Sequence, residues 1–353
     1  MGGSLEKALA EKNMNKILKL LDEEFVLDYF KEKVLPLYPS FKEIKRISIK
    51  PYKKMVWETT YHVVIGFNVY FVNSDNKLKK IPIVCSAHSD EPRDNVYAAL
   101  KYLWKKKFNG SGIDLPRPLF FSEDFNGTFY RAIDGENLLY YIKKKDKEAI
   151  EKIVKETAEL FARLHSLEVG GEANFNPINS RIKTVIPGVD MIFKEMTARY
   201  GDKYCPYLKK VYDYFITQEK KFFDSGEPLK LIHGDAHPEN IIKTSDNRIG
   251  LIDFTDLCLS DFTRDLGAFI QQIEYKISMK MDDKEFADRM KEIFLHTYLV
   301  ASGLEMNKNL QDRIDLYYNF TAIRTSTYLF LKFGHSEERA EELLNMVKNN
   351  LNL

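Results

Sequence analysis

The chain has 353 residues, 44% hydrophobic and 30% charged, with a formal net charge of +1. That length exceeds one small core and points to two domains or lobes. The near-neutral balance lacks a nucleic-acid binder's basic footprint, no apolar run approaches the ~20 residues of a membrane helix, and three scattered cysteines suggest neither a disulfide framework nor a zinc site.

In chain order, Leu5, Leu9, Ile17, Leu18, Leu21, Phe25, Leu27 and Phe30 recur at helical spacing, and Pro36 and Pro39 end that pattern. The opening "MGGSLE" has Glu6 where a myristoylation signal has Ser or Thr. No signal-peptide core follows it. A cytoplasmic protein is expected. Stretches rich in β-branched and aromatic residues then predict strands at 44–50, 60–72 and 81–87. Residues 91–108 read as a helix with Pro92 near its start, and "RPLFF" and "GTFYRAI" as two further strands. From about residue 138 helices dominate, at 147–167, 204–223, 261–279, 283–300, 308–333 and 336–351. Residues 1–135 hold 22 basic and 17 acidic side chains, the remainder 31 and 35. The first part favours an anion such as a nucleotide and the second tolerates a cation.

One polar cluster interrupts the helical part. "LIHGDAHPENIIKTSDNRIGLIDF" (231–254) sets two histidines, two acids and an asparagine between short apolar runs. "TSDNRIG" has the residues of a hairpin turn. Asp235, Asn240 and Asp253 are thereby placed at strand ends, where residues are often chemical rather than structural. A polar loop capping a hairpin is the bland reading. His-x-Asp-x-His also matches a hydrolase metal site, but that leaves Asn240 idle.

"HGDAHPEN", "LIDF" and the following "SDFTRDLGA" together resemble the aminoglycoside phosphotransferase and choline kinase-like family, with "ARLHSL" at 162–167 and "AIDGENL" as weaker echoes. The resemblance covers roughly residues 40–335 and implies an α+β, bilobal protein-kinase-like fold: a small antiparallel β lobe with one helix plus a larger, mostly helical lobe. The expected divisions are an N-terminal helical extension (1–40), a β-rich nucleotide lobe (41–133) and a helical catalytic and acceptor lobe (134–353). It implies an ATP- and Mg²⁺-dependent phosphotransferase, with GTP an option, acting on a small-molecule hydroxyl acceptor such as a sugar, amino alcohol, nucleoside or aminoglycoside-like compound. Asp235 would accept or orient the hydroxyl proton, while Asn240 and Asp253 would hold the metal. His233, His237 and Asp265 would support the loop, and Asp256 and Asp261 border the acceptor side, a helix cap being equally open for Asp261. Adenine would sit against the backbone of Arg131, Ala132 and Ile133, between the lobes.

The small lobe departs from the pattern. Ser86 stands where the family has a third-strand lysine, with Cys85 and His88 nearby, and Asn95 or Val96 where its glutamate partner belongs. The first hairpin lacks a glycine-rich loop: "KPYKKMVWETTY" (50–61) has no glycine. Two readings stand: another cation (His88, Arg93, Lys53 or Lys54) replaces the lysine, or the protein is a pseudoenzyme that binds a ligand or scaffolds a partner. A choline acceptor would call for an aromatic cage from Tyr317, Tyr318 or Tyr328.

Overall fold

The computed structural model describes residues 15–332 and 337–352, so the helical spacing at Leu5 and Leu9 lies outside the described residues. The chain divides into two compact units, residues 1–110 with 114–134, and residues 111–113 with 135–353.

In the first unit, helix α1 (Glu23–Lys33) starts at Asp22, whose carboxylate accepts from the N–H groups of Glu24 and Phe25. Three long strands follow, β1 (Phe41–Val56), β2 (Tyr61–Asn73) and β3 (Leu78–His88), then helix α2 (Asp94–Lys105). Residues 111–113 are assigned to the second unit, with β4 (Ile113–Asp114) at their end, and the first unit resumes with β5 (Arg117–Ser122) and β6 (Gly127–Arg131). The five strands form an antiparallel sheet in the order β1-β2-β3-β6-β5. Strict alternation on β2 fixes its register: Tyr61, Val63, Ile65, Phe67, Val69 and Phe71 are buried against Val26 and Phe30 of α1. The opposite face is left to His62, Val64, Ser86 and His88. β1 runs further than the expected 44–50, and Lys53 therefore stands on a strand, opposite Val64, rather than in a loop.

The second unit opens with β7 (Glu136–Asn137), α3 (Leu138–Lys144), α4 (Lys147–His165), α5 (Val189–Tyr200) and α6 (Cys205–Asp224). Then come β8 (Lys230–Ile232), the hairpin of β9 (Ile241–Ser245) and β10 (Arg248–Leu251), and β11 (Cys258–Ser260). Helices α7 (Thr263–Met281), α8 (Lys284–Ser302), α9 (Lys308–Leu331) and α10 (Glu337–Leu351) complete it. The first apolar run of the polar segment pairs with β11, not with the hairpin. The residues between β8 and β9 are thus held from two sheets at once. α5 and β11 escaped the sequence reading because α5 buries only Ile192 and Met196 and β11 is three residues long. Where α7 crosses α9 the backbones nearly touch: a Cβ on Gly267 would lie 2.6 Å from Ile314 O and Tyr318 N. Among the described residues no helix is long and apolar enough to cross a membrane.

Candidate active site

The loop between β8 and β9 is suspended from one buried carboxylate. Asp265, fully buried in the first turn of α7, accepts the backbone N–H of His233 at 2.7 Å and that of Gly234 at 2.9 Å. His165 of α4 donates from Nε2 to the same carboxylate at 3.1 Å, and Tyr298 of α8 meets its other nitrogen at 2.9 Å. Burial works to raise the pKa of Asp265, but the bond from His165 and the neighbouring histidines outweigh it and hold the carboxyl below its usual value. His233 donates from Nε2 to the carbonyl of Ile252, tying the loop to the end of β10. Gly234 is obligatory, with a φ of 82° and the carbonyl oxygen of Asp256 only 2.4 Å from where a Cβ would stand.

That suspension aims Asp235 outward, with its side chain 46% exposed. Pro238 opens a single 3₁₀ turn to Asn240, which brings the Asn240 amide back to the Asp235 carbonyl at 3.0 Å and its carboxylate at 3.4 Å. The nitrogen end of Asn240 makes these bonds, so the oxygen end is directed elsewhere. Asp253 follows one residue after Ile252, whose N–H donates to the carbonyl of Asn240 at 3.1 Å. It is exposed, adopts a φ of 63° in the left-handed region, and one carboxylate oxygen takes the Thr255 hydroxyl at 2.7 Å. An amide oxygen and a second carboxylate oxygen are the sparse, hard donors that Mg²⁺ accepts alongside phosphate and water. Among the described residues no group of three or more His, Cys, Asp and Glu could hold a metal. The His-x-Asp-x-His metal site is therefore not formed: His237 is committed to ion pairs.

Those pairs form a charge chain. Lys276 of α7 lies 2.5 Å from Glu239, Glu239 lies 3.0 Å from His237, and His237 lies 3.3 Å from Asp235. For His237 burial acts to lower the pKa, yet the two carboxylates prevail and push it up to about 10. For Asp235 burial acts upward, and the His237 imidazolium beats it, holding the carboxyl well below the usual range. Glu239, burial notwithstanding, is brought down to about 2 by His237 and Lys276. Asp256 moves the other way, to about 6, because burial and then the charge of Asp235 disfavour its ionised form.

A cavity of about 910 Å³ adjoins Asp235, lined by α5, α7, α9 and the loop. Asp256 lines it, and Asn179 donates to its carboxylate. Asp261 does not: it is buried just before α7, where it accepts the N–H of Thr263 at 3.0 Å and faces Arg313 at 3.7 Å. The three candidate cage tyrosines are dispersed. Tyr317 is buried beside Glu219, Tyr318 reaches Glu274, and only Tyr328 lines the cavity. Sequence reasoning left Glu239 unassigned and passed over Lys276 and Arg324. A single arginine within the buried stripe of α9 (Phe320, Ile323, Thr327) was the available signal for Arg324.

In the first unit, Ser86 sits on β3 between Val64 and Thr128, on the face away from the α1 core. Lys80 lies six residues earlier, roughly 20 Å along a strand, so β3 supplies no lysine near Ser86. Other donors gather there. Lys53 Nζ is 3.2 Å from His62 Nε2, and the rings of His62 and His88 are 4.7 Å apart. Burial, then the charges of Lys53 and Arg93, lower the pKa of His62 to about 4. His88 accepts the N–H groups of Asp90 and Glu91 on Nδ1, which leaves its proton on Nε2. Arg93 is buried, pairs with Glu91 at 3.2 Å, and has an Nε without a hydrogen-bond partner among the described residues. Asn95 accepts from the N–H of Val96, and Val96 is buried, so neither replaces the glutamate. Arg131 ends β6, Ile133 is half-buried, and the N–H of Ala132 is taken by Pro82 O at 3.0 Å. The Ala132 amide hydrogen is therefore not available to a base.

A model of the phosphotransferase enzyme family matches residues 65–303. No curated protein matches the chain in sequence. Among solved structures, the choline kinase of Streptococcus pneumoniae superposes with a TM-score of 0.54 at 15% identity, over 92% of this chain and 98% of that one. Spectinomycin phosphotransferase, solved with ADP and spectinomycin, gives 0.53 at 13% identity over 93% and 94%. An ethanolamine kinase from Plasmodium vivax gives 0.52 at 16% identity over 85% and 81%. At such identities the likeness establishes the fold, a protein-kinase-like one with a small antiparallel β unit and a larger helical unit.

Proposed function

The chain belongs to the phosphotransferase enzyme family, and on that premise we propose that it moves the terminal phosphoryl group of ATP, or of GTP, to a hydroxyl of a small molecule. The observation that carries this reading is the Asp235 carboxylate, half in solvent and bordering the 910 Å³ cavity, with Asn240 in contact behind it. A hydroxyl in the cavity would donate to Asp235. A carboxylate held this acidic is a weak base, so its work is to orient the hydroxyl and take the proton as transfer proceeds. The acceptor oxygen bonds to the terminal phosphorus, the bond from that phosphorus to the bridging oxygen breaks, and the nucleoside diphosphate leaves. Asn240 and Asp253 would hold Mg²⁺, which neutralises charge on the phosphates. Lys53, Arg93 and the Nε2–H of His88 would meet phosphate oxygens in place of a third-strand lysine, and Arg131 and Ile133 would adjoin the base.

The test is a coupled assay of nucleotide-dependent transfer across sugars, amino alcohols, nucleosides and hydroxy acids. Asp235→Asn should retain the fold and lose turnover by roughly 10²–10⁴-fold; full turnover would remove Asp235 from its role. Asp253→Ala should abolish Mg²⁺-dependent nucleotide binding, read by thermal shift. The second reading, a ligand-binding protein without transfer, rests on Ser86 at the lysine position. No thermal shift with millimolar ATP or GTP and Mg²⁺ would favour it.

A further inference from the structure

The cavity beside Asp235 is basic, although residues 136–353 carry an acidic excess. Six arginine and lysine side chains line it against four carboxylates. Much of this charge is already engaged. Lys276 is paired with Glu239 and His237 with Asp235. Arg264 donates to the backbone carbonyls of Asn179 and Gly234, which fixes it as a strut of the loop.

Arg324 is different. It projects from the middle of α9 into the cavity, donates from Nη2 to the carbonyl of Ile186 at 2.8 Å, and has a buried Nη1 with no hydrogen-bond partner among the described residues. A buried guanidinium nitrogen without an acceptor is costly, and a planar oxyanion is the group that best relieves it. Arg324 and Asp235 line the same cavity. A cationic acceptor entering this cavity would meet Arg324 with like charge.

Resting on the phosphotransferase reading of the same site, we propose that the acceptor is an anionic alcohol, whose carboxylate or phosphate group is bound by Arg324 while its hydroxyl meets Asp235. What Arg324 selects is the acid group.

Binding is tested apart from transfer. Titration calorimetry on the full chain without nucleotide uses malonate, inorganic phosphate and choline as probes. Malonate or phosphate is expected to bind and choline not, with Arg324→Gln weakening the anion by about tenfold or more and Arg324→Lys restoring part of it. Choline binding without anion binding overturns the proposal. So does an anion affinity unchanged in Arg324→Gln, which places the anion elsewhere. Should Arg324→Gln not fold, Arg324→Lys and the wild-type comparison of malonate with choline still decide. Transfer assays with glycerol, glycerate and glycerol phosphate then separate carboxylate from phosphate recognition. Preferred phosphorylation of glycerol overturns the proposal. An Arg324-dependent anion with no detectable nucleotide binding leaves the anion site standing and counts against the phosphotransferase reading instead.

Discussion

Replacing His237 with Gln should move the ionisation of Asp235 upward. The imidazolium and carboxylate are 3.3 Å apart, and unit charges at that distance attract by about 1.3 kcal/mol in bulk water and about 5 kcal/mol at an effective dielectric of 20. Asp235 is 46% exposed, so screening keeps the figure near the lower end, at about 1.5–2.5 kcal/mol, or one to two pH units. The groups facing the pair are Glu239, Asn240 and, through Glu239, Lys276, with Asp256 and Arg324 lining the same cavity. The signs differ for the two partners. Asp235, with its folded pKa depressed, contributes stability above its unfolded pKa that is lost as pH falls through the folded one. His237, raised to about 10, contributes stability that is full below its unfolded pKa and lost as pH rises through about 10. The variant should therefore lose stability across the span between those limits, and least outside it. Carbon-detected NMR titration of Asp carboxyls, with the Asp235 signal assigned by its absence in Asp235→Asn, measures the shift directly. An acid midpoint for Asp235 that is the same in wild type and His237→Gln would refute the coupling, and with it the claim that the ion pair keeps the carboxylate charged.

Asp265→Asn should cost about 3–5 kcal/mol, because it strips the charge from a buried acceptor serving two backbone N–H groups and His165. Denaturant unfolding followed by circular dichroism reads this, and a loss under about 1 kcal/mol would mean the loop is held otherwise. Glu219, pushed by burial from 4.5 up to about 7, stays protonated in the folded chain where an unfolded one would ionise. Its contribution is full at low pH and lost as pH rises through about 7. The thermal midpoint of wild type should fall more steeply between pH 4.5 and 7 than that of Glu219→Gln, and parallel profiles would contradict the burial of that carboxyl.

Much of the fold was legible. Strict alternation on residues 61–71 needs only the period of a strand, and the amphipathic helices from 147 onward need only the period of a turn. Short elements were not legible: β11 has no room for a period, and α5 buries too few residues to show one. The 3₁₀ turn from Pro238 to Asn240 is local chemistry, so the contact between Asp235 and Asn240 is readable from six consecutive positions.

What lay beyond the sequence was whatever depends on distant partners. Asp261 and Asp256 look alike in the string, yet one is sealed under the first turn of α7 and the other faces the cavity. Net charge over 136–353 pointed to a cation-tolerant surface, whereas the cavity collects Arg324, Lys276 and His237 from elements up to 87 residues apart. Composition averages over surface and interior alike. Only folding sorts which charges cancel one another and which remain to meet a ligand, since the energy of a charge depends on the distance to its neighbours and on how much water lies between them.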